Sequence, residues 1–235
     1  MKKKIAILVD FDGTIFPKDI GHNLFKKFAS SKKNFNDIID LWKKKRISSR
    51  DCTLCECSLV ETAKARIDDF INEQKIDPYF KSFYYSTREK NIPVAIFSDG
   101  LDYYINMLLK REGLSEIPSY SNKILFLDKV NPSIDYFTAT FPYFYYGCGN
   151  CGNCKSYHLS LYRTGGHDTI VYIGDGQSDC CPAKFADIVL AKCCSNGLRD
   201  YMETIEKTYF PFRNFKDVEE ILFGKDSILS KSGLM

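Results

Sequence analysis

Carboxylates recur beside glycines at three places in the chain: Asp10-Phe-Asp12-Gly13-Thr14, Ser98-Asp99-Gly100, and Gly174-Asp175-Gly176-Gln-Ser-Asp179. One Asp or Gly at the end of a strand is ordinary turn chemistry. Three such sites that meet would place four or five carboxylates in one pocket. That cluster repels itself unless a hard cation is present, and a few carboxylate oxygens with open positions suit Mg²⁺.

The elements that must position these residues are legible as short apolar runs. Residues 5–9 (IAILV), 92–97 and 169–173 each run into one of the three acidic sites, and 187–191 is a fourth run of the same kind. Such runs are the pattern of parallel strands buried on both faces; 124–127 is a shorter candidate. Helical stretches at 101–111 and 156–162 separate them, which predicts a doubly wound, mostly parallel α/β sheet of Rossmann-like type. In such sheets ligands bind beyond the carboxyl ends of the strands, where the acidic sites fall. Residues 16–89 contain no strand pattern and read as helices, an insertion after the first strand. The aromatic segment 136–146 (YFTATFPYFYY) predicts a hairpin or edge strand, with its proline at the margin.

With these residues in order, the sequence resembles the haloacid dehalogenase superfamily of phosphotransferases. Asp10 to Thr14 is similar to its first motif, Ser98 to its second, Lys155 to its third, and Gly174 to Asp179 to its fourth. A helical insertion directly after the first motif resembles the C1 cap of the phosphoserine phosphatase branch. The phrases ISSRDC, CGNCK and DCCPAKFADIVLAK look most like phosphatases related to 2-hydroxy-3-keto-5-methylthiopentenyl-1-phosphate phosphatase. The resemblance implies a core of residues 1–15 and 90–235 with a cap of 16–89, and a Mg²⁺-dependent phosphatase acting on a small phosphorylated metabolite.

The resemblance also implies a role for each residue. Asp10 is the nucleophile that forms an aspartyl-phosphate, and Asp12 the general acid and base. Ser98, the amides of Asp99 and Gly100, and Thr14 bind phosphate, while Lys155 neutralises charge. Asp10, the Asp12 carbonyl, Asp175 and Asp179 hold Mg²⁺. Two unit charges of one sign at 4 Å cost about 4 kcal/mol at an effective dielectric near 20, so a metal and a lysine are needed before a carboxylate can meet a phosphate. Lys184 is the rival lysine, but it follows Asp179 on the next helix and is expected to point away. Asp19 falls nine residues after Asp10 (10 + 9 = 19), where the branch has an acid for the substrate amine; as a residue it also reads as a helix N-cap. The branch's cap arginine for a substrate carboxylate falls near Leu54 here, one turn beyond Arg50. Two alternatives stay open at this level: a phosphotransferase or phosphomutase of the same fold, and a non-catalytic Cys-rich protein on the scaffold.

The 235 residues correspond to between one and two domains at about 150 residues each. With 33 basic and 30 acidic side chains the net charge is +3, too small to predict a nucleic-acid partner. No run approaches the roughly 20 apolar residues of a membrane span. The apolar stretch after Lys2 to Lys4 ends at Asp10, too short for a signal peptide, so a cytoplasmic protein is expected. Ten cysteines are unusual. Cys148, Cys151 and Cys154 have spacing compatible with a structural Zn²⁺ site, against the plainer reading of reduced, partly buried thiols. Residues 193–199 (CCSNGLR) match the C-x5-R phosphate loop of cysteine phosphatases, a pattern that chance supplies easily. His22, His158 and His167 lie in no motif and are expected on the surface or in the core.

Overall fold

The computed structural model describes residues 4–128, 131–147, 149–193 and 197–234. Its seven strands are β1 (Ile5–Val9), β2 (Val94–Leu101), β3 (Ser119–Phe126), β4 (Phe137–Thr140), β5 (Thr169–Gly174), β6 (Ile188–Lys192) and β7 (Phe210–Phe212). They form one sheet in the order β4-β3-β2-β1-β5-β6-β7. All neighbours are parallel except β3 and β4. β1 is central because it is buried on both faces. Ile5, Ile7 and Val9 face one apolar cluster, and Ala6 and Leu8 face the other, as the two-residue period of a strand requires.

The helices sort to the two faces accordingly. On the Leu8 side lie α7 (Lys155–Thr164), α8 (Cys180–Phe185) and α9 (Gly197–Thr204), which contribute Leu159, Ala183 and Met202. On the Ile7 side lie α6 (Asp102–Glu112) and α10 (Phe215–Phe223), with the short α11 (Ile228–Lys231) beyond them. The doubly wound α/β sheet is therefore as expected, with β4 as the antiparallel edge strand. The structure adds β7 and lengthens β3 toward its N-terminal end.

Between β1 and β2 the chain forms five helices: α1 (Ile20–Phe28), α2 (Lys32–Lys43), α3 (Ser49–Leu59), α4 (Lys64–Asn72) and α5 (Phe80–Glu89). Ser31 and Ser48 cap α2 and α3 by accepting from the amides of Asn34 and Asp51. α5 packs against α10, with the rings of Phe80 and Phe83 centred 4.8 and 5.2 Å from that of Phe215. None of the described helices is long and apolar enough to cross a membrane.

Candidate active site

The sheet order reverses direction at β1. After β1 and its insertion the chain builds β2, β3 and β4 on one side, then crosses to build β5, β6 and β7 on the other. The crevice of a doubly wound sheet opens at such a point, beyond the strands' carboxyl ends. Asp10 leaves β1 there, with its amide donating to the Ile173 carbonyl at 2.9 Å. Asp175 leaves β5 beside it, and Ser98 to Gly100 lie in the last turn of β2, where its pairing with β3 slips register.

Lys155, the first residue of α7, reaches into this junction from below. Its Nζ donates to Asp10 Oδ1 at 2.5 Å, to Asp179 Oδ1 at 2.6 Å and to Ser178 Oγ at 3.0 Å. Burial alone would lower the pKa of this 2% exposed ammonium, but the facing carboxylates of Asp10 and Asp179 reverse the sign and raise it. The same burial, together with the charge of Asp179, holds the Asp10 pKa well above the usual carboxylate range despite Lys155. Lys184, the rival, is exposed on α8.

Asp179 is fully committed to this framework. Besides Lys155 its Oδ1 accepts from Tyr172 Oη at 2.6 Å, and its Oδ2 accepts the amides of Asp175 and Gly176, each at 2.9 Å. Only glycine fits at position 174, where a Cβ would come within 2.6 Å of the Asp179 carboxyl carbon. Thr14 is buried, and its hydroxyl donates to Asp175 Oδ1 at 3.3 Å. That hydroxyl thereby tethers Asp175 in the site. Likewise Ser98 Oγ accepts the Gly100 amide at 3.0 Å, so that amide is already satisfied within the second motif.

Asp12 sits opposite, at the start of the insertion. Its Oδ1 accepts from the Ile20 amide at 2.8 Å and its Oδ2 from Tyr104 Oη at 2.5 Å. Burial, then the charge of Asp19, pushes its pKa up to about 7. The Asp99 carboxylate serves a different purpose. It accepts from Ser49 Oγ at 2.6 Å, the Asn153 amide at 2.8 Å and Asn122 Nδ2 at 3.1 Å, joining α3, the loop before Lys155 and β3.

Above these groups lies a cavity of about 260 Å³. Asp10, Asp12, Ser98, Asp99, Gly100 and Asp175 line its floor; Asp19, His22, Trp42, Cys52 and Glu56 line the side formed by the insertion. Asp19 caps α1 by accepting the His22 amide at 2.8 Å, as its N-cap reading expects, and it also faces the cavity. Arg50 does not line the cavity; its guanidinium lies 4.7 Å from the Phe144 ring centre. Tyr104, His22 and Glu56 are members that motif reasoning missed. The one available signal for Glu56 was its spacing from Ser49, Cys52 and Thr53, which puts all four on one helical face. His158 is a core residue, its Nε2 at 2.6 Å from Asn153 Oδ1.

Asp10, Asp175 and Asp179 present oxygens within 4.8 Å of one another, the one group among the described residues that could hold a metal ion. An all-oxygen, self-repelling donor set fits a hard divalent cation. Cys151 and Cys154 join no such group among the described residues, and Cys148 lies outside them. Burial raises the thiol pKa of Cys52, and that of Cys57 to about 12, as expected of inert core thiols. Of the C-x5-R segment, 194–196 lie outside the described residues; Arg199 donates to the Cys193 carbonyl at 3.0 Å.

Sheet topology, the lysine-bridged carboxylates and the helical insertion agree with the phosphatase class that the motifs resemble. The chain belongs to the family whose model is described as "Putative Phosphatase", which matches residues 5–193. It is 31% identical over 229 residues to a 2-hydroxy-3-keto-5-methylthiopentenyl-1-phosphate phosphatase of Brevibacillus brevis, covering 94% of this chain and 96% of the relative. It is 28% identical to Pdp3-interacting factor 1 of Schizosaccharomyces pombe, covering 94% and 96%. Its fold is similar to that of a phosphoserine phosphatase in a phospho-aspartyl intermediate analogue, with TM-score 0.69 at 17% identity over 94% of this chain and 99% of that one.

Proposed function

We propose that the chain is a Mg²⁺-dependent phosphomonoesterase of small metabolites that works through a phosphoaspartate on Asp10. The observation that carries the reading is the salt bridge from buried Lys155 to Asp10 Oδ1 at the floor of the cavity. Lys155 orients that carboxylate and offsets its charge as a phosphate approaches. An Asp10 oxygen attacks phosphorus, the phosphorus–oxygen bond to the leaving alcohol breaks, and Asp12 gives the departing oxygen its proton. A group with pKa near 7 suits this task, because it is partly protonated at neutral pH. In the second half Asp12 takes a proton from water, the water oxygen attacks phosphorus, and phosphate leaves Asp10 restored.

Asp10, the Asp12 carbonyl and Asp175 would hold Mg²⁺, which supplies positive charge against the phosphate oxygens. Asp179, with both oxygens already engaged, supports that site by fixing Lys155 and the loop of Asp175. Ser98 and the Asp99 amide are the phosphate donors on the second motif, and residues 16–89 act as a cap that encloses the ester. The unpaired thiols Cys52, Cys55, Cys57, Cys154, Cys180 and Cys193 support a reducing, cytoplasmic setting.

The test is phosphate release from 4-nitrophenyl phosphate. EDTA and Asp10→Asn should each abolish it, whereas Cys193→Ser should leave it intact. A dead Cys193→Ser variant with no effect of EDTA would falsify the assignment.

A further inference from the structure

Between the second motif and Lys155 lies a buried polar residue that the proposed chemistry does not touch. Asn153 is 1% exposed and stands two residues before Lys155. Its main-chain amide donates to Asp99 Oδ1 at 2.8 Å, and its Nδ2 donates to the carbonyls of Ser98 at 2.8 Å and Tyr120 at 2.7 Å. Its Oδ1 faces His158 Nε2 at 2.6 Å. Asn153 therefore ties together the C-terminal end of β2, the start of β3 and the first turn of α7. We propose that Asn153, oriented by a proton on His158 Nε2, is the positioning residue that aims both the Asp99 amide and Lys155 at the phosphate. This deepens the phosphomonoesterase reading and rests on it.

The hydrogen bonds fix how the two side chains are oriented. Two carbonyl oxygens face one end of the Asn153 amide, so that end is the nitrogen, which has two hydrogens to donate. The other end is then the oxygen, which can only accept, so His158 Nε2 must hold the ring proton. The second ring nitrogen agrees with this. His158 Nδ1 is buried without a hydrogen-bond partner among the described residues, so a proton there would be an orphaned donor while the Nε2 lone pair opposed Asn153 Oδ1. The rings of Phe97, Tyr120, Tyr143 and Tyr157, centred 4.4 to 5.5 Å from the imidazole, surround it. Burial lowers its pKa to about 4, which keeps it a neutral donor at neutral pH.

Peptide geometry carries this orientation into the site. The Ser98 carbonyl and the Asp99 amide belong to one peptide unit, and in a trans peptide the two groups point in opposite directions. Holding the carbonyl on Asn153 thus fixes the line along which the Asp99 amide donates, and the bond to the carbonyl polarises that amide further. On the other side, α7 begins at Lys155, and its N-cap Cys154 makes no side-chain cap bond, so the side-chain anchor beside the helix start is Asn153. Two charge-stabilising groups from different elements share that anchor. A small displacement of it moves both away from the phosphate at once.

Two measurements test the inference. The first reads the tautomer by nitrogen NMR of isotope-labelled wild-type protein, with the His158 signals identified by their loss in His158→Gln. The ring should show a proton on Nε2, a bare Nδ1 and no titration between about pH 5 and pH 8; a proton on Nδ1, or an imidazolium in that range, overturns the inference. The second reads kinetics on 4-nitrophenyl phosphate with Mg²⁺ present, at a temperature where thermal melting shows each variant folded. His158→Gln, whose amide nitrogen can take the place of Nε2, should stay within about threefold of wild type. His158→Leu should lose about tenfold or more, and Asn153→Asp, which turns an acceptor toward two carbonyls, about a hundredfold or more, both mainly in kcat. A folded Leu or Asp variant with wild-type kcat overturns the inference, as does a Gln variant as impaired as Leu. Wild-type protein inert toward 4-nitrophenyl phosphate would instead bring down the phosphatase reading itself, and because the tautomer is read without turnover the two failures are distinguishable.

Discussion

A single ammonium, that of Lys155, is shared between two buried carboxylates, and the whole acidic junction depends on how it divides its charge. In the proposed mechanism its contact with Asp179 is structural and its contact with Asp10 is chemical. When a phosphate arrives, the first can persist while the second is exchanged for phosphate oxygens. Glu56 has no such counter-charge among the described residues, and its burial gives it a signature in stability. Below about pH 4.5 the side chain is neutral whether the chain is folded or not. Between there and about pH 8 the unfolded chain releases the proton that the folded chain retains, so the folded state loses stability as pH rises; above 8 the loss is complete. Glu56→Gln carries no such term. Its melting temperature relative to wild type should therefore climb from pH 5 to pH 8 and then level off, by an amount corresponding to a few kcal/mol at about 1.4 kcal/mol per pKa unit. A difference in melting temperature that stays flat with pH would show that Glu56 ionises freely in the folded chain.

At the scale of elements, the N-terminus of α3 joins the insertion to the sheet. The Ser49 amide donates to the Asn150 carbonyl at 2.9 Å, its hydroxyl donates to Asp99 at 2.6 Å, and it accepts the Gly152 amide at 2.8 Å. One side chain thus joins a helix of the insertion, the second motif and the loop that delivers Lys155. Ser49→Ala removes the hydroxyl and leaves the half-buried Asp99 with Asn122 and Asn153 alone. The expected cost is about 1–3 kcal/mol of stability, together with a fall of roughly tenfold in kcat/KM on 4-nitrophenyl phosphate, the scale of about 1.4 kcal/mol. Denaturant unfolding and steady-state kinetics check the two effects. A stability loss with unchanged kinetics would confine Ser49 to a packing role. The same network explains why β3 was underread from sequence. Its first half, Ser119 to Asn122, is polar, and Asn122 is buried there because it donates to Asp99.

Over the whole molecule, the parts that could be read in advance are those where chemistry and local pattern coincide. Asp10, Ser98 and Asp175 each belong to the end of an apolar strand, so a window of ten residues contains both the element and its functional group. β7 escaped because it is three residues long with Pro211 in the middle, tolerable only at the sheet's edge. The cavity wall escaped for another reason: Asp19, Trp42 and Glu56 come from three helices whose convergence no local pattern records. The near-neutral net charge likewise conceals a strongly local field, in which the Lys155 ammonium faces Asp10 and Asp179 with the Asp175 carboxylate beside them. A divalent cation bound there relieves repulsion that the folded chain otherwise carries, so binding must raise global stability. At a concentration 100 times its dissociation constant, Mg²⁺ contributes about 2.7 kcal/mol. At roughly 2–4 °C per kcal/mol for a chain of this size, the melting temperature should rise by roughly 5–10 °C. Asp175→Asn should abolish that increment, whereas Asp19→Asn, on the insertion side of the cavity, should keep it. An equal rise in wild type and Asp175→Asn would place the cation elsewhere on the molecule.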